Sequence, residues 1–129
     1  MSNISDTDPR RVAVVIEDDE DIRNLLETVL TQAGFQVIAA SNGITGIEAV
    51  RRYSPIVTTL DVNMPGLDGF ETLRRIREFS ETYVVMLTAL AQENVVLQGI
   101  KLGANDYIRK PFHPTELVMR LSKHLPPAS

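Results

Sequence analysis

Cysteine is absent from the 129-residue chain. Disulfides, thiolate metal sites and thiol nucleophiles are therefore excluded together, and any metal must be held by oxygen or imidazole. No run of residues approaches the roughly 18 to 20 apolar positions needed to cross a bilayer, and no apolar h-region stands near the first residues. Neither a membrane span nor a signal peptide is expected, and the cytoplasm is the expected location. Excess positive charge is missing too: 13 Lys and Arg face 17 Asp and Glu, for a formal net charge of −4 and a sequence pI near 5.1. Such a chain has no global attraction to nucleic acid, so direct DNA binding is not expected of it. What remains, 43% hydrophobic and 23% charged, is the composition of one globular domain with a sizeable core.

Residues 1–10 are polar apart from Ile4 and the initiator and end near Asp8-Pro9, which reads as a flexible N-terminal tail. Residues 126–129, Pro-Pro-Ala-Ser, cannot continue a helix and read as a C-terminal tail or the start of a linker. The folded unit is expected to be residues 11–125.

Within it, short apolar runs alternate with longer segments of helical period. Val12 to Ile16 is a continuous β-branched run, as suits a strand covered on both faces. Ile22, Leu25, Leu26, Val29, Leu30 and Ala33 then recur at helical spacing, and Gly34 stands where that helix would stop. The alternation continues with a strand at Gln36 to Ala40, a helix at Gly43 to Tyr53 and a strand at Ile56 to Leu60. A helix at Gly69 to Phe79 follows, with Asp68 and Glu71 forming a capping-box start. Next come a strand at Tyr83 to Leu87, a weaker helix at Gln92 to Leu102, a strand at Asp106 to Arg109 and a helix at Pro114 to Leu125. Gly99 inside the fourth helix costs about 1 kcal/mol relative to Ala and marks that helix as the most mobile element. Five βα units predict a doubly wound α/β fold, a parallel sheet with helices on both faces.

In such sheets the binding crevice lies beyond the carboxyl ends of the strands. There the chain places Glu17 and Asp18 after the first strand, Asp61 after the third, Thr88 after the fourth and Lys110 after the fifth. Carboxylates converging from neighbouring strands repel one another unless a cation joins them, and an oxygen-only site suits Mg²⁺, with Mn²⁺ as the alternative. Open positions on such an ion invite a phosphoryl group. Asp61 is the candidate nucleophile toward phosphorus, Lys110 offsets charge on the transferring group, and the Thr88 hydroxyl can donate a hydrogen bond to it. Asn63-Met64-Pro65-Gly66 after Asp61 reads as a type II turn that leaves the acid exposed.

These residues resemble the response-regulator receiver family of two-component phosphorelays. The match lies in Val15-Ile16-Glu17-Asp18-Asp19, in Leu60-Asp61-Val62-Asn63-Met64-Pro65-Gly66-Leu67-Asp68-Gly69, in Thr88-Ala89 and in Lys110-Pro111-Phe112, and it spans about Val12 to Leu125. The resemblance implies a flavodoxin-like, three-layer fold with strand order 2-1-3-4-5 and a cis peptide before Pro111. It implies Asp61 as phosphoacceptor, with Glu17 and Asp18 as the acidic pair of the Mg²⁺ site. The resemblance further implies that Asp18 and Asp61 bind the ion by side chain and Asn63 by its backbone carbonyl, and that Ala89 lies next to the phosphoryl group. Thr88 and Tyr107 are the implied switch residues. A histidine kinase or phosphotransfer protein is the implied partner, and the face of the fourth helix, fifth strand and fifth helix is where a homodimer would form. A receiver of this kind is not an enzyme in the ordinary sense; it catalyses only its own phosphoryl transfer and dephosphorylation. The chain departs from many members in having Glu-Asp rather than Asp-Asp as its acidic pair.

Blander readings compete at several positions. Asp19, Glu20 and Asp21 are explained by stabilisation of a helix N-terminus, worth about 0.3 to 1 kcal/mol. Tyr107 taken singly reads as core packing. Arg51, Arg52, Arg74, Arg75 and Arg77 read as solvated helix faces and not a nucleic-acid patch, and His113 and His124 as surface residues. Two other functions compete as well. An aspartate-nucleophile phosphatase wants a second Asp where Asn63 stands, and a flavodoxin-like cofactor carrier would set its phosphate against Glu17 and Asp18.

Overall fold

A computed structural model of the protein describes residues 11–89, 93–123 and 125. Helices and strands alternate throughout: β1 (Val12–Ile16), α1 (Glu20–Gln32), β2 (Gln36–Ala40), α2 (Gly43–Tyr53), β3 (Val57–Asp61), α3 (Gly69–Ile76), β4 (Tyr83–Thr88), α4 (Glu93–Lys101), β5 (Asp106–Arg109) and α5 (Pro114–Ser122). The strands form one parallel sheet in the order β2-β1-β3-β4-β5, the expected doubly wound, flavodoxin-like arrangement. No helix among the described residues is long and apolar enough to cross a membrane.

Strand side chains alternate between two cores because successive Cβ atoms point to opposite sheet faces. Val14, Ile16, Leu60, Val84 and Met86 pack with Ile47, Val50, Leu73 and Ile76 from α2 and α3. Ala13, Val15, Val57, Val85, Leu87 and Ile108 pack with Leu26, Val29, Leu30, Leu117 and Leu121 from α1 and α5. Burial on both faces is why β1, β3 and β4 read as unbroken apolar or β-branched runs.

Local signals set the helix starts. The side chains of Asp19, Asn42 and Asp68 accept from the amides of Ile22, Thr45 and Glu71, each satisfying one orphan donor of a first turn. Only half of the expected capping box forms at α3. Glu71 does not reach back, because its carboxylate is bonded to Arg74 and Arg75 on the same helix. α3 ends at Ile76 and not at Phe79, since the chain there tightens into the bonds Glu78 N to Arg75 O and Phe79 N to Ile76 O. α5 likewise ends at Ser122, while Leu125 still packs against the α1/α5 core. Both tails, Leu90, Gln92 and His124 lie outside the described residues.

The glycine in α4 has a packing reason. A Cβ built on Gly99 would stand 2.9 Å from Tyr107 Cε2, 3.0 Å from Tyr107 Oη and 3.2 Å from Met86 Sδ. The Tyr107 hydroxyl donates to the Val95 carbonyl at 2.9 Å, which ties the ring to this helix. Helix propensity alone makes Gly99→Ala stabilising by about 1 kcal/mol, whereas overpacking a filled site costs about 1 to 3 kcal/mol. The clash should win: Gly99→Ala is expected to lower the free energy of urea unfolding by about 1 kcal/mol, and a gain in stability would show that Tyr107 yields at no cost.

Candidate functional site

The register of the sheet assembles the site. Ile16 pairs with Leu60 across β1 and β3, so the next residues along, Glu17 and Asp61, emerge side by side. β3 runs one residue beyond the expected Leu60, and Asp61 pairs with Leu87 of β4 as its last member. Thr88 closes β4 opposite Arg109 of β5, and Lys110 follows at once, its amide donating to the Thr88 carbonyl at 2.8 Å. Four residues far apart in the chain thus meet at one edge.

Lys110 Nζ sits between two acids, 3.0 Å from Glu17 Oε1 and 3.1 Å from Asp61 Oδ1. Its hydrogen bonds go to Asp61 Oδ1 and, at 3.2 Å, to Glu17 Oε2. Glu17 Oε1, although close to the ammonium, lacks hydrogen-bond geometry and is a buried carboxylate oxygen without a hydrogen bond. Glu17 is fully buried, Asp61 is 3% exposed and Thr88 1% exposed, while Asp18 is open to solvent. Oxygens of Glu17, Asp18 and Asp61 all lie within 4.8 Å of one another.

Three clustered carboxylates, two of them buried and sharing one ammonium, leave negative charge uncompensated. The Asp61 carboxyl responds by moving up from an ordinary 3.8 to about 7. Burial is the main cause, helped by Asp18 and by the charge of Glu17, with Lys110 pulling the other way. Burial by itself would lower Lys110, but the bonds and charges of Glu17 and Asp61 outweigh it and hold the ammonium above the usual lysine range. A small hard cation fits this donor set: oxygen ligands only, mutual repulsion to relieve, and one buried carboxylate oxygen lacking a hydrogen bond.

The other expected positions fall around this centre. Asn63 is exposed, and its amide donates to Asp61 Oδ1 at 3.2 Å, which ties the following loop to the acid. Gly66 has φ +77°, the value position i+2 of a type II turn requires. Ala89 is exposed directly after Thr88. The peptide between Lys110 and Pro111 is cis. Tyr107 is not among the acids; it is half-buried on the α4 side of the sheet. His113 is exposed at the start of α5.

The arginines are accounted for by contacts within the chain, and Arg77 is a part-buried tertiary contact, not the solvated helix face expected of it. Arg74 pairs with Glu71 and Glu78, and Arg75 with Glu71. Arg51 lies over the Phe79 ring at 4.2 Å and Arg52 over Tyr53 at 5.4 Å, while Arg77 donates to the carbonyls of Gly103 and Ser80 and to Asn105. One contact went unforeseen: Arg23 Nη1 donates to the carbonyl oxygens of Glu17 at 3.0 Å and Asp18 at 3.4 Å. Residue types and spacing carry no signal for a side chain that recognises backbone.

Comparison with known proteins gives the same frame. Residues 13–122 match the family model of the response regulator receiver domain. The chain is 42% identical over 108 residues to the probable transcriptional regulator ycf27 of Pyropia yezoensis, covering 84% of this chain and 44% of that protein. It is 43% identical over 106 residues to the transcriptional regulatory protein CseB of Streptomyces avermitilis, covering 82% and 45%. The chain therefore spans less than half the length of these relatives. Among solved structures, the chemotaxis protein CheY4 of Vibrio cholerae superposes with TM-score 0.83 at 28% identity, over 89% of this chain and 98% of that one. The BeF3-activated N-terminal receiver domain of Klebsiella pneumoniae RstA gives 0.82 at 30% identity, over 88% and 97%. With the sheet order and the acidic edge already in place, the chain belongs to the response regulator receiver domain family of two-component systems.

Proposed function

We propose that Asp61 accepts a phosphoryl group, in a Mg²⁺-dependent reaction, from a histidine kinase or phosphotransfer protein, and that the modified surface then controls a partner or output domain. The observation that carries this reading is Lys110 Nζ held 3.1 Å from Asp61 and 3.0 Å from Glu17 beside a three-carboxylate cluster. A carboxylate oxygen of Asp61 attacks phosphorus, the bond from phosphorus to the donor's leaving group breaks, and an aspartyl phosphate results. Lys110 is placed to offset charge on the phosphoryl oxygens, and Thr88, at the end of the adjacent strand, to donate to one of them. Glu17, Asp18 and Asp61 by carboxylate, and Asn63 by its carbonyl, are the groups that would hold Mg²⁺ (or Mn²⁺), which supplies further neutralisation of the transferring charge. Ala89 borders the phosphoryl position, and its small side chain leaves room there.

In this reading the chain is a signalling domain that catalyses only its own phosphorylation and dephosphorylation, and it works in the cytoplasm. Thr88 and Tyr107 are its switch residues. The face of α4, β5 and α5 is the proposed homodimer surface, and the exposed Leu97, Ile100 and Met119 on α4 and α5 support that assignment. Because the curated relatives are transcriptional regulators about twice as long, the proposed output is control of transcription through a further domain. Direct nucleic-acid contact by residues 11–125 is not part of the proposal.

Incubation with acetyl phosphate and Mg²⁺, followed by intact-mass measurement, should add one phosphoryl group to the parent and none to Asp61→Asn, and chelation should abolish the addition. An unchanged adduct in Asp61→Asn would refute the assignment. No multiple-turnover hydrolysis of phosphomonoesters is expected.

The raised Asp61 carboxyl has a thermodynamic consequence in the metal-free protein. An acid whose pKa is higher folded than unfolded binds more protons when folded, so stability falls as pH rises between the two values. For Asp61 that window runs from the ordinary 3.8 to about 7; the penalty is absent below it and complete above it. In chelator at pH 8, Asp61→Asn should unfold at higher urea than the parent, by about 1 to 2 kcal/mol after allowance for screening and for the lost Lys110 contact, and the difference should vanish near pH 4. A difference independent of pH would place its origin elsewhere.

A further inference from the structure

We propose that Arg23 is the positioning residue of the acidic loop: through its hold on two backbone carbonyls it fixes the direction in which Asp18 presents its carboxylate. The inference rests on the reading of Glu17, Asp18 and Asp61 as a divalent-cation site. Arg23 lies on the first turn of α1, where its amide donates to the carbonyl of the N-cap residue Asp19. Its guanidinium turns back toward the sheet, and Nη1 donates to the Glu17 carbonyl at 3.0 Å and the Asp18 carbonyl at 3.4 Å. These carbonyls belong to the two peptide planes that flank the Asp18 Cα. Fixing both planes fixes φ and ψ of Asp18, and with them the direction of its Cβ.

Asp18 needs such support. Glu17 is buried and tied to Lys110, and Asp61 is the last residue of a central strand. Asp18 is exposed, lies outside any strand or helix, and sits in a run of five acids, Glu17 to Asp21, whose mutual repulsion favours splaying the loop. Two further bonds brace the same segment, the Asp19 amide to Glu17 Oε2 at 3.3 Å and the Ile22 amide to Asp19 Oδ1 at 3.0 Å. Neither reaches the carbonyls on both sides of Asp18; among the described residues only Arg23 does. Outer-shell groups that orient a ligand typically change metal affinity by about 10- to 100-fold when removed.

Charge and position predict opposite signs here, which makes the inference testable. A guanidinium near the site repels a divalent cation, so if Arg23 acted only through its charge, Arg23→Met would tighten Mg²⁺ binding. If it acts by position, Arg23→Met should weaken Mg²⁺ binding by about tenfold. Arg23→Lys, a point donor of shorter reach without the planar fork, should weaken it by about threefold. The measurement is direct calorimetric titration of the parent and both variants with MgCl₂, with thermal unfolding in chelator to report stability separately. Weaker binding in both variants, with the parent's unfolding temperature lowered by only a few degrees, supports the proposal. Equal or tighter binding in Arg23→Lys or Arg23→Met overturns it, and if Arg23→Met does not fold, Arg23→Lys alone decides. Absence of Mg²⁺ binding in the parent would instead sink the cation-site reading on which the inference stands.

Discussion

One half-buried ammonium held between two buried carboxylates, with a third beside them, is the constraint around which the edge of this sheet is organised. Taking a charge out of water costs several kcal/mol even after relaxation, and only close opposite charges and hydrogen bonds offset it. Lys110 supplies that compensation to Glu17 and Asp61 together, across sequence separations of 93 and 49 residues. It does so only because the order β2-β1-β3-β4-β5 puts β1 beside β3 in the middle of the sheet and brings the exit of β5 within reach. The compensation is incomplete by design of the residue set: three acids, one base. The raised Asp61 carboxyl is the sign of that deficit, and a small cation among the three carboxylates would relieve it.

The sheet separates this charged centre from a second, apolar arrangement. Along β4 the side chains of Met86 and Thr88 point to the same face, which is the face that carries Tyr107 and α4. Met86 pairs with Tyr107 in register, and both crowd Gly99. Thr88, Met86, Tyr107 and Gly99 therefore form a contiguous line from the acidic edge to α4. Spatial continuity of this kind is what a coupling between the two regions requires, though coupling itself is an energetic property. It also gives the helical glycine a purpose that propensity could not: the helix accepts a residue costing about 1 kcal/mol so that an aromatic ring can lie against its backbone.

How much of this was legible in the sequence depended on whether the signal was local. Val12 to Ile16 and the helical period from Ile22 to Ala33 depend on burial of nearby residues, and both elements appear where the pattern places them. Asp68 caps α3 through a bond three residues away, but Glu71 chose Arg74 and Arg75 over the cap, a competition that the motif does not encode. The end of β3 slipped by one residue because Asp61 is held by pairing with Leu87, a partner 26 positions on. Glu17, Asp61, Thr88 and Lys110 could be placed at one edge because strand exits follow from topology. Arg23 could not, since its partners are carbonyl groups that every residue possesses.

Magnitudes decide whether an event at Asp61 can reach the far side of the line. The Tyr107 hydroxyl is held by one hydrogen bond to the Val95 carbonyl, worth about 0.5 to 1.5 kcal/mol net. Partial burial of its ring adds dispersion, and the ring stays partly accessible. A phosphoryl group on Asp61 would add charge of about −1.5 to −2 and three acceptor oxygens, enough for one to three charge-assisted hydrogen bonds of about 1.5 to 3 kcal/mol each. In the proposed switch Thr88 is one of the donors that such a group recruits, and it stands two residues from Met86 on the face that packs Tyr107. In that proposed switch, the bonds gained by the phosphoryl group would exceed the one hydrogen bond that the Tyr107 hydroxyl makes to α4.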